Sequence, residues 1–190
     1  MDLGLSYEPL TPDRWHAFRA LFGERGACGG CWCMLWRLDR KRFEAQKGEG
    51  NRRAMKAVVD AGHLPGILAF HGGRAVGWCA VAPRSDYPFL SRSRILKPLD
   101  HRPCWSVSCL FIDRGFRRRG LSTGLIEAAA RFARHRGADV VEGYPVEPKD
   151  GKALSPAFAW TGLASAFRRA GFLEVARRSP TRPVMRRELG

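Results

Sequence analysis

Apolar residues along this chain recur at two spacings, and the changes between them predict its elements. Residues 105–112, WSVSCLFI, form a β-branched and aromatic run of the kind that makes a strand. From 120 to 136 the spacing changes, and Leu121, Leu125, Ile126, Ala129, Phe132 and Ala133 share one face of a helix. Gly137 closes that helix, and residues 139–146 read as the next strand. Upstream, residues 5–10 form a short first strand. Thr11-Pro12-Asp13 then opens a helix, with Thr11 as its cap and Pro12 at the first helical position. Trp15, Phe18, Leu21 and Phe22 make its buried face, and Gly23 ends it. A second helix over 51–61 turns Met55, Val58 and Val59 inward, and residues 65–70 and 74–82 form a hairpin around His71-Gly72-Gly73. Downstream, Ser155-Pro156 repeats the cap-and-proline start of a helix predicted to reach Ala170. Its stripe is Ala159, Leu163, Ala166, Phe167 and Ala170, with Gly171 as the cap. Residues 172–178 and 181–188 close the chain as an antiparallel hairpin joined at Ser179-Pro180.

The predicted order is β-α-α-β-β-β-α-β-α-β-β, an α/β fold in which helices cover one mixed sheet. At 190 residues, with a hydrophobic fraction of 45% and a charged fraction of 27%, one domain spanning residues 1–190 is expected. Residues 37–50 are polar and basic and read as a mobile connection. Residues 83–103 are long and punctuated by proline, so they are either functional or a disordered insertion. In the first case Arg84, Asp86, Tyr87, Arg92, Arg94 and Asp100 offer polar groups to a second substrate.

No apolar run is long enough to span a bilayer, and the first residues lack the basic start and apolar stretch of a signal peptide. Cytoplasm is the expected compartment. The net charge of +15 is compatible with nucleic acid or with a polyanionic cofactor. Its arginines are spread along the chain rather than massed in one helix or tail, and no nucleic-acid-binding motif is present, which favours a cofactor patch on a basic background.

Six cysteines, Cys28, Cys31, Cys33, Cys79, Cys104 and Cys109, are expected as thiols in that compartment. The Cys-x2-Cys-x-Cys spacing of the first three invites a metal. Zinc wants four ligands, however, and only three are close, so no metal is expected there. These cysteines read as small apolar residues packed around glycines and aromatics. If residues 31–36 are extended, Trp32, Met34 and Trp36 share one face, an aromatic wall that either lines a substrate pocket or, more commonly for such residues, packs in the core.

The joint between the strand at 105–112 and the following helix carries the chemistry. It reads Arg117-Arg118-Arg119-Gly120-Leu121-Ser122-Thr123. A first helical turn presents unpaired N–H groups and a partial positive charge. Gly120 lets an anion approach the backbone, and the arginines add full charge, so the joint suits a pyrophosphate. The joint resembles the acyl-CoA signature of the GNAT family (Gcn5-related N-acetyltransferases), [Q/R]-x-x-G-x-[G/A]. Arg117, Gly120 and Ser122 stand on its fixed positions, Ser122 in place of the usual glycine or alanine. The Ala170-Gly171-Phe172 ending and the strand VGWCAVAP are further family-like features.

The resemblance implies a GNAT-like, mostly antiparallel central sheet flanked by helices. It implies an acetyl-CoA-dependent N-acetyltransferase, with an amine of a small molecule or peptide as acceptor and a monomer or homodimer as the assembly. It places the pantetheine arm on Leu110, Phe111 and Ile112, and the pyrophosphate on Arg118, Arg119, Gly120, Leu121, Ser122 and Thr123, with Arg117 first in the signature. The chain departs from the family at the proton-transfer positions. Phe167 stands where many members have a tyrosine acid, Trp160 where an asparagine is frequent, and Ser106 where some have a glutamate. Glu142 as base and Tyr144 as acid, alternate residues on the fifth strand, are the expected substitutes. Two alternatives remain: an acyl-CoA-binding module of the same fold without efficient catalysis, and a basic nucleic-acid-binding protein.

Overall fold

A computed structural model describes residues 4–148 and 158–190. Its strands are β1 (Leu5–Pro9), β2 (Gly66–His71), β3 (Arg74–Pro83), β4 (Trp105–Ile112), β5 (Val140–Gly143), β6 (Leu173–Arg177) and β7 (Pro183–Glu188). The helices are α1 (Trp15–Phe22), α2 (Arg40–Ala45), α3 (Glu49–Asp60), α4 (Pro88–Arg92), α5 (Leu121–His135) and α6 (Ala164–Arg169). The strands make one seven-stranded sheet in the order β1-β2-β3-β4-β5-β7-β6. Only β4 and β5 pair in parallel; every other neighbouring pair is antiparallel. Among the described residues, no helix is long and apolar enough to cross a membrane.

Each face of the sheet has its own core. Leu121, Leu125, Ile126 and Ala129 of α5 pack with Val107, Leu110 and Val141 on one face, together with Phe167 of α6. Fully burying each of these Leu and Ile side chains stabilises the fold by about 1.5–3 kcal/mol. On the other face, Phe18 and Phe22 of α1 and Met55 and Val59 of α3 cover Trp78, Ala80 and Cys109. The period of 3.6 marks most of the buried stripe of α5, with Phe132 only partly buried, and Met55 and Val59 of α3, but Val58 is only partly buried and Asn51 is buried in α3 instead.

Several local expectations are corrected. Residues 31–36 are not extended: Trp32 (φ 43°) and Cys33 (φ 56°) take the left-handed conformation, so the chain turns there. Trp32 is buried and stacks on Phe22 at 5.5 Å, whereas Trp36 faces Trp160 at 5.8 Å, so no shared aromatic wall forms. Gly26 is required at this turn, because a Cβ there would lie 2.1 Å from the Trp32 indole nitrogen. Residues 37–50 are not simply a connection, since they hold α2, whose start Asp39 caps by accepting from Arg42 N–H at 2.9 Å. The strand expected at 139–146 ends at Gly143.

The last helix is also shorter than the stripe predicted. Its expected start at Ser155-Pro156 lies outside the described residues. Residues 159–163 are not helical, because Gly162 turns at φ 84° and Leu163 bridges to Val146 instead.

The segment over 83–103 divides its polar groups: Arg92 and Arg94 are exposed, whereas others turn inward or pair. Tyr87 and Leu90 are buried, Asp86 pairs with Arg37 at 3.2 Å, and Arg84 and Asp100 turn toward β5 and β7.

Candidate active site

β4 and β5 pair over three residues only, from Trp105↔Val141 to Val107↔Gly143, and then part. A register shift against β3 leaves Ser108 as the additional residue of β4 just where the strands separate, and such a bulge bends a strand. The chain itself enters the fork. Leu110 N–H donates to the Trp160 carbonyl at 2.6 Å, and Val146 N–H to the Gly162 carbonyl at 2.9 Å. By strand alternation the Leu110 carbonyl and the Ile112 N–H face that same edge.

The arginine loop closes the far end of this edge. Arg117 Nε donates to the Ile112 carbonyl at 3.0 Å and ties the loop to β4. Arg118 at φ 61° and Gly120 at φ 80° are both left-handed, and Gly120 is the residue that enters α5. A non-glycine residue held at positive φ stores strain, and the turn it makes aims successive N–H groups into a concavity. Leu110, Phe111, Ile112, Arg117, Arg118 and Ser122 line one side of a groove of about 490 Å3; residues 159, 160, 162 and 163 line the other. Arg119, Gly120, Leu121 and Thr123 belong to the same turn but do not line it. Leu121 is buried in the core, Arg119 lies over the Phe116 ring at 5.9 Å, and Thr123 Oγ1 accepts from Arg169 at 3.4 Å.

A second cavity, of about 230 Å3, adjoins the groove on the face of the sheet covered by α1 and shares Ala27, Cys28, Leu110, Phe111 and Trp160 with it. Cys31, Cys33, Leu35, Trp36, Phe43 and Cys109 are among its other walls. Of the aromatic wall expected over 31–36, only Trp36 lines this cavity; the turn at Trp32 and Cys33 sends Trp32 and Met34 into the core instead. Cys33 Sγ lies 3.3 Å from Cys109 Sγ and accepts from the Trp78 indole N–H at 3.1 Å. Burial, above all, pushes the Cys33 thiol well above its ordinary pKa; a hydrogen bond with Cys33 and then burial raise Cys31. Both are therefore held as protonated thiols rather than as thiolate ligands. Cys28 is exposed. Among the described residues no group of three or more His, Cys, Asp or Glu is arranged to hold a metal ion.

Glu142 and Tyr144 do come together, as alternation along β5 requires, but within a buried polar cluster. Tyr144 OH lies 2.9 Å from Glu142 Oε2 and 2.9 Å from Ser106 Oγ. Arg186 of β7 donates to Glu142 Oε1 through Nε at 3.0 Å and Nη2 at 2.7 Å. Arg84 reaches Glu142 Oε2 at 3.3 Å and also bonds the Tyr144 hydroxyl. Burial, then the Glu142 charge, raises the Tyr144 phenol well above 10, so it stays protonated. Neither residue lines the groove or the apolar cavity. Sequence reasoning missed Arg84 and Arg186 as partners, since both come from distant segments. The position of the family's tyrosine acid is also apolar: Phe167 is fully buried, edge-on to Phe172 at 5.1 Å.

Asp100 completes the cluster by pairing with Arg186 at 2.5 Å. The hydrogen bond from Arg186 lowers its carboxyl from 3.8 to about 2. A depressed folded pKa contributes stability that is present above about 3.8 and lost as the pH falls through about 2. Asp100→Asn should therefore flatten the fall in stability over that acid window. Urea unfolding from pH 5 to pH 2 checks this, and an unchanged acid slope in the variant would contradict the pairing.

The Acetyltransferase (GNAT) family profile matches residues 32–152, more than half of the chain. No curated protein matches the chain by sequence. Solved structures match its fold over nearly its full length. A GNAT-family acetyltransferase from Listeria monocytogenes 4b F2365 aligns with a TM-score of 0.58 at 11% identity, covering 97% of this chain and 95% of that one. The PaiA N-acetyltransferase of Thermoplasma acidophilum, in complex with coenzyme A, aligns with a TM-score of 0.53 at 10% identity, covering 97% and 99%. The aminoglycoside N-acetyltransferase AAC(6')-Iy, in complex with CoA, aligns with a TM-score of 0.53 at 17% identity, covering 92% and 91%. With the forked β4–β5 pair, the arginine loop entering α5 and the family match together, this chain belongs to the GNAT acetyltransferase family.

Proposed function

We propose that this protein is an N-acetyltransferase, moving the acetyl group of acetyl-CoA to the nitrogen of an amine acceptor. The observation that carries the reading is the turn at the start of α5, left-handed at Arg118 and Gly120, beside a groove that follows the edge of β4 where it has parted from β5. There the pyrophosphate would meet backbone N–H groups at the helix start together with Arg117 and Arg118. The pantetheine amides would meet the Leu110 carbonyl and the Ile112 N–H, pairing with β4 as another strand would. The CoA complexes of PaiA and AAC(6')-Iy support the cofactor.

The neutral amine attacks the thioester carbon, so a C–N bond forms and the C–S bond breaks. The amine gives up one proton and the departing thiolate takes one up, leaving an amide and free CoA thiol. Glu142 and Tyr144 act in this reading as positioning residues. With Ser106 and Arg84 they hold β4 and β5 together where the strands separate, and so set the width of the fork that receives the thioester. A thiolate leaves with a pKa well below that of an amine, so a protein acid is helpful rather than essential, which is compatible with Phe167.

That same Phe167 favours a second reading, an acyl-CoA-binding protein of this fold that turns over slowly. Release of free thiol from acetyl-CoA across a panel of amines separates the two. Acceptor-dependent release is expected. CoA binding without release above the hydrolytic background, for every amine tried, would leave the binding module.

A further inference from the structure

We infer that the acceptor is a primary amine on an apolar body with no second positive charge, an aromatic amino acid or arylalkylamine being the type, and that it occupies the cavity walled by Cys31, Cys33, Trp36 and Phe43. This rests on the transfer reading above and names its substrate class. The cavity opens onto the groove across Phe111 and Trp160, so its occupant meets the thioester end of the cofactor.

Charge decides the class. Among the described residues, no Asp or Glu lines either the cavity or the groove; the charged residues that do are Lys47, Arg117 and Arg118. A polyamine or an aminoglycoside would bring several ammonium groups into a site whose lining holds no carboxylate and whose rim carboxylate, Glu44, is already paired with Lys47, and an unpaired charge held away from water is costly. The protein's net charge of +15 adds to that repulsion. The walls are instead aromatic side chains and cysteines, among them Cys31 and Cys33 whose thiols burial and hydrogen bonding keep protonated, a lining that rewards an apolar ring. The one ammonium of a monoamine loses its charge before it attacks, so it needs no lasting counter-ion. Lys47 stands at the rim, half-exposed and paired with Glu44 at 2.5 Å, a surface contact that an incoming carboxylate can replace. This rim cation suits an amino acid better than a simple amine.

Two readouts test the inference. In the presence of CoA, phenylalanine or phenethylamine should change the tryptophan fluorescence, because Trp36 and Trp160 line the cavity, while spermidine should not. In thiol-release assays kcat/KM for phenylalanine should exceed that for spermidine and for kanamycin by about a hundredfold or more. Cys31→Phe, which fills the cavity from a wall the groove does not share, should abolish the phenylalanine response and keep CoA affinity. Should that variant not fold, Lys47→Glu carries the test: the ratio of phenylalanine to phenethylamine turnover should fall roughly tenfold through KM, as expected on reversing one charge. Spermidine or kanamycin turned over as well as phenylalanine would overturn the assignment, as would an unchanged turnover ratio in Lys47→Glu. Fluorescence-detected binding of phenylalanine without any acetylation would refute the transfer reading while upholding the site.

Discussion

Gly120→Val is expected to weaken CoA binding by about a hundredfold or more, roughly 2.8 kcal/mol, while the protein stays folded. The position is exposed, and a Cβ built there meets nothing within 4 Å, so the protein has no internal clash to relieve. What the valine does cost is backbone strain: Gly120 sits at φ 80°, and a side chain in that region costs about 1–2 kcal/mol. That is less than the stability of an ordinary domain, about 5–15 kcal/mol. The same penalty, far from the groove, comes from Gly137→Val at the other end of α5, where φ is 82° and the surrounding space is equally open. The two variants should lose comparable stability, and only Gly120→Val should lose CoA affinity. The difference isolates the approach of a phosphate to the first turn of α5, where the N–H groups and the helix dipole point outward. Calorimetry that finds equal CoA affinities for Gly120→Val and Gly137→Val would remove the pyrophosphate from this turn.

The parts of the fold that were legible in the sequence are those whose signal is local and periodic. β4 occupies residues 105–112 as its β-branched run indicates, and α5 occupies residues 121–135 within the stretch marked by its apolar stripe. Gly120, readable as a helix entry, does enter α5 in the left-handed conformation. What was not legible depends on conformations or partners that residue type does not announce. Trp32 and Cys33 take positive φ although neither is glycine, so a strand-like alternation became a turn and the apolar cavity with it. β5 stops at Gly143 because Val146 finds Leu163 across the fork, a pairing between segments 17 residues apart in sequence. Most of all, the surroundings of Glu142 come from Arg84, 58 positions before it, and Arg186, 44 positions after it. Alternation on a strand put Glu142 and Tyr144 side by side, but it carries no information on what covers them.

Glu142→Gln should lower both stability and rate, and the shape of its pH–rate profile assigns the residue's role. The Glu142 side chain is 2% exposed, against 9% for Arg186 and 11% for Arg84. Removing its charge leaves two guanidiniums facing a neutral amide, and breaking a buried pair in this way costs about 3–5 kcal/mol. For a chain of this size that corresponds to a fall in Tm of roughly 6–20 °C. Arg84→Gln in the Glu142→Gln background should return part of the loss, since it removes one of the stranded cations, whereas Arg186 keeps Asp100. Catalysis suffers through geometry. A fork loosened by a fraction of an ångström misplaces the thioester, and such misplacement costs from about tenfold to a hundredfold in kcat. A positioning role makes this deficit constant from pH 6 to pH 9, because the attacking amine titrates identically in both proteins. Tyr144→Phe, which removes the hydroxyl joining Glu142 to Ser106, should show a smaller deficit of the same flat form. A deficit in Glu142→Gln that shrinks steadily as the pH rises, while the free amine becomes abundant, would mean that the carboxylate takes the amine proton after all. The base would then lie on the fifth strand, and the cluster with Arg84 and Arg186 would have to open during turnover.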